Sequence, residues 1–307
     1  MLAPKRLYFE EISFQIKMRG NKRASIEPTL LILLWVRSSY QPFLALLKAA
    51  KATTSTTSTS FVSLETLPTH STITISDASS KNALNPPMML QLADHVSTLV
   101  STPTPLLPCL LIITGNHSTF CAGANIKAAK SSLMTREAGV LMSKLMTEVM
   151  NAVSSLPLVS IAAIEGSAYG GGAELATCCD FRVLANGARM KFVQGQMGVS
   201  TGWGGGKRLA KIVGEREALK VLLSRQAIDG ELGKKLKLVD HEGVASSASS
   251  LALRYAKKLN LHGTAPEVVF ALKAAASSQS EDEETEAFAK VWGGAAHRLA
   301  FSNALKT

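Results

Sequence analysis

Two apolar runs of buried-strand length, CLLIIT from Cys109 to Thr114 and LVSIAAIEG from Leu158 to Gly166, flank a stretch with helical spacing. In that stretch Val140, Leu141, Leu145 and Val149 return at helical spacing, the last three at four-residue intervals. The methionines Met134, Met142, Met146 and Met150 read as core packing on the same pattern. Upstream, FVSLE and STITIS read as short strands, and PPMMLQLADHVSTLV as a helix. That helix opens on a proline pair, and Met89, Leu92, Val96 and Leu99 form its apolar stripe. Downstream, FRVLA and RMKFV are strand-like, GGGKRLAKIVG and EREALKVLLS helix-like, and from Val244 onward only helices are expected. EDEE, Glu281 to Glu284, reads as a helix start favoured by the dipole. Strands alternating with helices and then helices alone predict an α/β core with a helical C-terminal piece.

At 46% apolar and 18% charged residues, the chain has enough hydrophobic material for an ordinary core. The net charge of +10 is uneven. Residues 1–51 hold nine Lys/Arg against Glu10, Glu11 and Glu27, a surplus of six, and lack a clear period. KATTSTTSTS, Lys51 to Ser60, is a low-complexity linker. The chain therefore divides into an extension and linker over 1–60, a core over 61–243 and a helical region over 244–307. The basic extension reads as a solvated tail. The apolar run LLILLWV within it is too short to span a bilayer. The four cysteines, Cys109, Cys121, Cys178 and Cys179, form no CxxC pair, and reduced thiols in a cytosolic protein are expected. Of the adjacent Cys178 and Cys179, one is expected to face the core.

The chemically suggestive stretch is SAYGGGAELATCCDFR, Ser167 to Arg182. Three glycines at the mouth of a helix allow close approach of a ligand to the backbone. The helix start directs unpaired N–H groups at that ligand. Neither GxxxxGK[ST] nor GxGxxG is present, so phosphate-loop and dinucleotide readings fail. An oxyanion site remains, alongside the simpler reading that the glycines permit tight packing and Glu174 favours the helix start. TFCAGANIKAAK, Thr119 to Lys130, offers a second small-residue turn after a strand. Two such turns can direct two N–H donors at one oxygen, as a thioester carbonyl becoming an enolate requires.

FCAGANIK, EGSAYGGGAELATCCDFR and GWGGGKRL, in this order and spacing, resemble the crotonase (enoyl-CoA hydratase/isomerase) superfamily from about Phe61 to the C-terminus. KNALNPPMM is similar to that family's segment lying along coenzyme A. NALNPPMMLQL, MKFVQGQMG and VWGG most resemble the branch that removes CO2 from ethylmalonyl-CoA, with methylmalonyl-CoA as a further substrate. The resemblance implies a spiral of ββα units with a C-terminal helical region, assembled as a trimer or hexamer. It implies an acyl-CoA substrate, no other cofactor since coenzyme A belongs to the substrate, no metal, and neither nucleic acid nor membrane as partner.

Carried over by position, the N–H groups of Ala124 and Gly171 form the oxyanion hole, and Glu174 matches the first of two glutamates used by hydratases. The second falls on Gln194, which cannot serve as a general base. That departure opposes hydration and leaves decarboxylation open, since loss of CO2 generates the enolate without a base. Glu174, within apolar walls, is expected to deliver or relay the closing proton. Lys81, Ala83, Ala122, Lys127, Gln194, Thr201 and Trp203 are expected around the substrate, the lysines toward coenzyme A phosphates and Trp203 as a wall of the acyl pocket, beside the plainer readings of solvated surface lysines and an ordinary core aromatic. None of the six histidines falls in a matched motif. Two other readings stand beside this one. The first is another hydratase or isomerase of the family. The second is a non-catalytic or RNA-binding homologue, for which LMSKLMTEVMNAV offers only Lys144.

Overall fold

The computed structural model describes residues 60–305, together with Gln41, Pro42 and Ala45. The readings made on the rest of the N-terminal extension and linker lie outside the described residues.

The main sheet runs β1-β2-β3-β4-β6-β8. Its strands are β1 (Phe61–Thr66), β2 (Ser71–Ser76), β3 (Leu110–Gly115), β4 (Val159–Ile164), β6 (Phe181–Ala185) and β8 (His241–Gly243). Only β1–β2 is antiparallel; every other pair in this sheet is parallel. The central strands β3 and β4 are buried almost throughout, as continuous apolar runs require. The three-residue β8 follows Asp240 and lacks the apolar run by which the other strands were read.

A second, smaller ladder positions the site. After β3 the chain continues through Cys121, after β4 through β5 (Ser167–Tyr169), and after β6 through β7 (Arg189–Lys191). Cys121 bridges Ala168, and β5 pairs with β7, all in parallel. Each turn of the chain thus gives one strand to the large sheet and a short one to this second strip. A helix then follows, and this repetition is the expected ββα spiral.

Three helices belong to the early turns: α1 (Pro86–Ser101), α2 (Ile126–Ser132) and α3 (Arg136–Ser155). Asn85 caps α1 by accepting from the Met88 N–H, and Pro86 and Pro87 occupy its first turn. Met89, Leu92, Val96 and Leu99 are all buried against the sheet. In α3, Leu145, Met146, Val149 and Met150 are buried, whereas Val140 is exposed. Met134 is also exposed, because the helix begins at Arg136 after the Thr135 cap and Met134 lies outside its phase. Cys178 and Cys179 are both buried, where only one was expected to be, since they lie in the tight turn between α4 (Gly171–Ala176) and β6.

Among the described residues four α-helices follow β8: α8 (Ala248–Lys258), α9 (Pro266–Ser277), α10 (Glu281–Ala289) and α11 (Ala295–Ala304). Glu281 to Glu284 form the first turn of α10 behind a Ser280 cap. The Lys273 Nζ fastens α9 to the sheet, reaching Asp180 Oδ2 and the Leu158 carbonyl, each at 2.6 Å.

Among the described residues the main sheet begins with β1 at Phe61, the boundary read from the sequence. A chain starting at Ser60 is therefore expected to give soluble protein with an unchanged circular dichroism spectrum and full activity. Insoluble or unfolded product would move the boundary N-terminally.

Candidate active site

The second ladder brings the two small-residue turns together. With Cys121 beside Ala168, Ala124 and Gly171 each lie three residues further along parallel paths. The fit is tight: a Cβ on Gly172 would meet the Cys121 carbonyl at 2.0 Å, and one on Gly123 would lie 2.8 Å from the Gly171 nitrogen. The positive φ of the triplet belongs to Gly170, at 53°.

The two N–H groups expected to hold an oxygen are left unused by the fold. On one side, Leu84 N–H donates to the Gly123 carbonyl (2.7 Å) and Asn125 N–H to the Leu84 carbonyl (2.9 Å). This parallel bridge engages the residues flanking Ala124 and leaves its own N–H free. On the other side, Gly171 is the first residue of α4, and its N–H has no partner within the helix. Among the described residues neither N–H has an acceptor.

The same bridge aligns the expected coenzyme A segment. The Ala122 N–H donates to the Lys81 carbonyl (3.1 Å), placing Lys81 and the buried Ala83 along the strip that ends in Ala124. The buried Asn82 holds this segment, donating from its amide to the Asn116 and Thr119 carbonyls and accepting from the Asp77 N–H. Lys81 and Lys127 have exposed side chains. Lys127 lies in the first turn of α2.

Glu174, one turn into α4, is buried. Its Oε1 accepts from Gln194 Nε2 (2.7 Å) and the Gly202 N–H (3.2 Å); its Oε2 accepts from the N–H groups of Trp203 (2.8 Å) and Gly205 (2.9 Å). In place of the expected apolar walls, four donors surround it. Three are backbone groups of the glycine-rich loop leading into α5 (Gly205–Val213). Gly205 lies so close that a Cβ there would meet Glu174 Cγ at 2.3 Å. Gln194 is buried too, and its amide orientation follows from this contact, because only its N–H can face a carboxylate. Its Oε1 has no donor among the described residues. Thr201 is half-buried just before the loop.

Trp203, 3% exposed, lies directly on Gly171. Its carbonyl accepts from Arg208 Nη2 at 2.6 Å. Arg208 also donates from Nε to Thr177 Oγ1 and from Nη2 to the Glu174 carbonyl. Burial pulls its guanidinium below the usual arginine value, against the opposing pull of Cys178 and Glu174. Arg208 was missed in the sequence, although it lies in GWGGGKRL, one helical turn after Gly204. Burial pushes the thiol of Cys121, under the Gly172 turn, up to about 12, which disfavours the thiolate. Among the described residues no cluster of His, Cys, Asp or Glu is suited to a metal ion, and no helix is long and apolar enough to cross a membrane.

The profile of the enoyl-CoA hydratase/isomerase family matches residues 69–292. The ethylmalonyl-CoA decarboxylase of Xenopus laevis is 35% identical over 241 residues, which span 76% of this chain and 79% of that protein. The ethylmalonyl-CoA decarboxylase of Mus musculus is also 35% identical, over 73% of this chain and 71% of that protein. Among solved structures, an enoyl-CoA hydratase from Bacillus anthracis superposes with a TM-score of 0.71 at 26% identity, covering 80% of this chain and 95% of its own.

Proposed function

The chain belongs to the enoyl-CoA hydratase/isomerase family, and from that premise we propose that it is an acyl-CoA decarboxylase that removes CO2 from ethylmalonyl-CoA. The observation that carries this reading is Gln194. It is buried against Glu174 where a hydratase of the family needs a second ionisable group. An amide cannot take a proton from water, so hydration lacks its base. Decarboxylation has no such need.

In this reaction the bond between the α-carbon and the carboxylate breaks and CO2 leaves. The electron pair stays with the α-carbon and delocalises onto the thioester oxygen. That oxygen gains charge as the bond breaks. The N–H groups of Ala124 and Gly171, which no described residue uses, are suited to stabilise it more strongly in the transition state than in the substrate. The α-carbon then takes up one proton drawn from solvent, with Glu174 proposed as its relay, and gives butyryl-CoA. Lys81, Ala83, Ala122 and Lys127 are the groups offered to coenzyme A, the lysines as point charges for its phosphates. Thr201 and Trp203 flank the acyl end. The relatives named ethylmalonyl-CoA decarboxylase support the choice of substrate. Methylmalonyl-CoA is proposed as a second substrate, and a trimer or hexamer in the cytosol as the working form.

The test is purified protein offered ethylmalonyl-CoA, methylmalonyl-CoA and crotonyl-CoA side by side, with products read by mass spectrometry. Butyryl-CoA is expected from the first and negligible 3-hydroxybutyryl-CoA from the last. Robust hydration of crotonyl-CoA would favour the hydratase reading and remove the argument from Gln194.

A further inference from the structure

Residues 202–206 contain four glycines around a single tryptophan. A glycine-rich loop is ordinarily the most adaptable kind of backbone. Here it is held from both sides. Glu174 accepts from the N–H groups of Gly202, Trp203 and Gly205, Arg208 Nη2 donates to the Trp203 carbonyl, and Ser143 Oγ donates to the Gly202 carbonyl at 2.5 Å. Taking a carboxylate and a guanidinium out of water is expensive, and it holds only when their hydrogen bonds are made. Three of the four bonds to the carboxylate serve this loop, and the guanidinium adds the one to the Trp203 carbonyl beside those to Thr177, Met150 and the Glu174 carbonyl.

The clamp fixes the indole. Its Cζ3, Cη2 and Cε3 lie 2.4, 2.6 and 2.7 Å from the position of a Cβ on Gly171, so the six-membered ring rests on the Gly171 backbone. We propose that Trp203 is the specificity-determining residue of the site: its indole limits the length of the chain that an acyl-CoA carries at the α-carbon. This deepens the reading above and rests on its placement of the thioester at Gly171. An oxygen bonded to the Gly171 N–H lies about 2.9 Å from that nitrogen. The α-carbon, two bonds further on, is then beside a ring in contact with the same residue. A rigid, backbone-anchored indole with two side-chain torsions cannot yield to a longer chain as a methionine or leucine would. Glu174 and Arg208 are positioning residues that act through Trp203.

The experiment measures binding, so it does not depend on turnover. Dissociation constants for propionyl-, butyryl-, hexanoyl- and octanoyl-CoA are determined by calorimetry on the full chain and on Trp203→Leu, Trp203→Phe and Arg208→Met. In the wild type, affinity is expected to fall by at least about tenfold between butyryl- and octanoyl-CoA, since a single methylene that a pocket refuses already costs about that much. Trp203→Leu should shrink that ratio by about tenfold, and Trp203→Phe by less. Arg208→Met should shift the ratio in the same direction, whereas a purely structural arginine would weaken all four ligands alike. If Trp203→Leu does not fold, the Phe variant decides by the same ratio. An unchanged ratio in any Trp203 variant that binds butyryl-CoA overturns the proposal. A wild type that binds acyl-CoA thioesters but releases no CO2 overturns only the decarboxylase reading. A wild type that binds none of them overturns both.

Discussion

Gly171→Val is expected to abolish decarboxylation. A Cβ at this position would lie 2.4 Å from Trp203 Cζ3, where carbon atoms in contact stand about 3.5–4.0 Å apart. The ring cannot retreat easily, because the Trp203 N–H is bonded to Glu174 and its carbonyl to Arg208. The strain must then move the start of α4, and with it the Gly171 N–H. Loss of one oxyanion donor alone costs roughly a hundredfold or more in rate. Valine adds the displaced indole to that loss. The obstruction within the protein is Trp203, and the positive φ of the triplet is at Gly170. Steady-state turnover together with a thermal melt tests the expectation. A folded Gly171→Val enzyme within tenfold of the wild-type rate would remove Gly171 from the oxyanion site.

Glu174→Gln is expected to lower turnover by about a hundredfold and to destabilise the fold by about 2 kcal/mol. The glutamine keeps one oxygen and gains an NH2 group that cannot accept. Its best orientation keeps the acceptor toward the Trp203 and Gly205 N–H groups. Gln194 can then turn its unpartnered Oε1 toward the new NH2, which leaves the Gly202 N–H facing a donor. Hydrogen bonds to a charged group contribute about 1.5–3 kcal/mol, so losing one and weakening the rest gives the figure above. A carboxylate that only favoured a helix start would cost under about 1 kcal/mol. The rate falls because the loop carrying Trp203 shifts, and a displacement near 1 Å can cost about a hundredfold. Urea denaturation and turnover of the same preparation provide the check. Near wild-type turnover would leave the two N–H groups as the whole of the catalytic machinery.

Much of the fold was legible locally. CLLIIT and LVSIAAIEG are buried strands because their residues are apolar on both faces. PPMMLQLADHVSTLV is a helix because its cap, prolines and apolar stripe agree. The errors came where an element's start was misjudged, as with Met134 outside the phase of α3, or where burial came from a turn rather than a period, as with Cys178 and Cys179. Strand β8 is three residues long and takes its place from the neighbouring β6, a contact that composition does not record.

For the site, the sequence by itself determined the residue types: bare backbone at Gly123 and Gly170–Gly172, one carboxylate at Glu174, and an amide at Gln194 where a second acid was expected. These are properties of single side chains and can be read one at a time. Only the tertiary structure decided what they do to one another. The register of Cys121 beside Ala168 brings two N–H groups together from turns nearly fifty residues apart. The surroundings of Glu174 are donors from residues 194–205, which no local pattern assigns to it. The space over Gly171 belongs to Trp203, held there by an arginine that the sequence alone had not singled out. Hydrogen bonds act over about 3 Å in space whatever the separation along the chain. The partners of a buried polar group are therefore known only once the chain has folded.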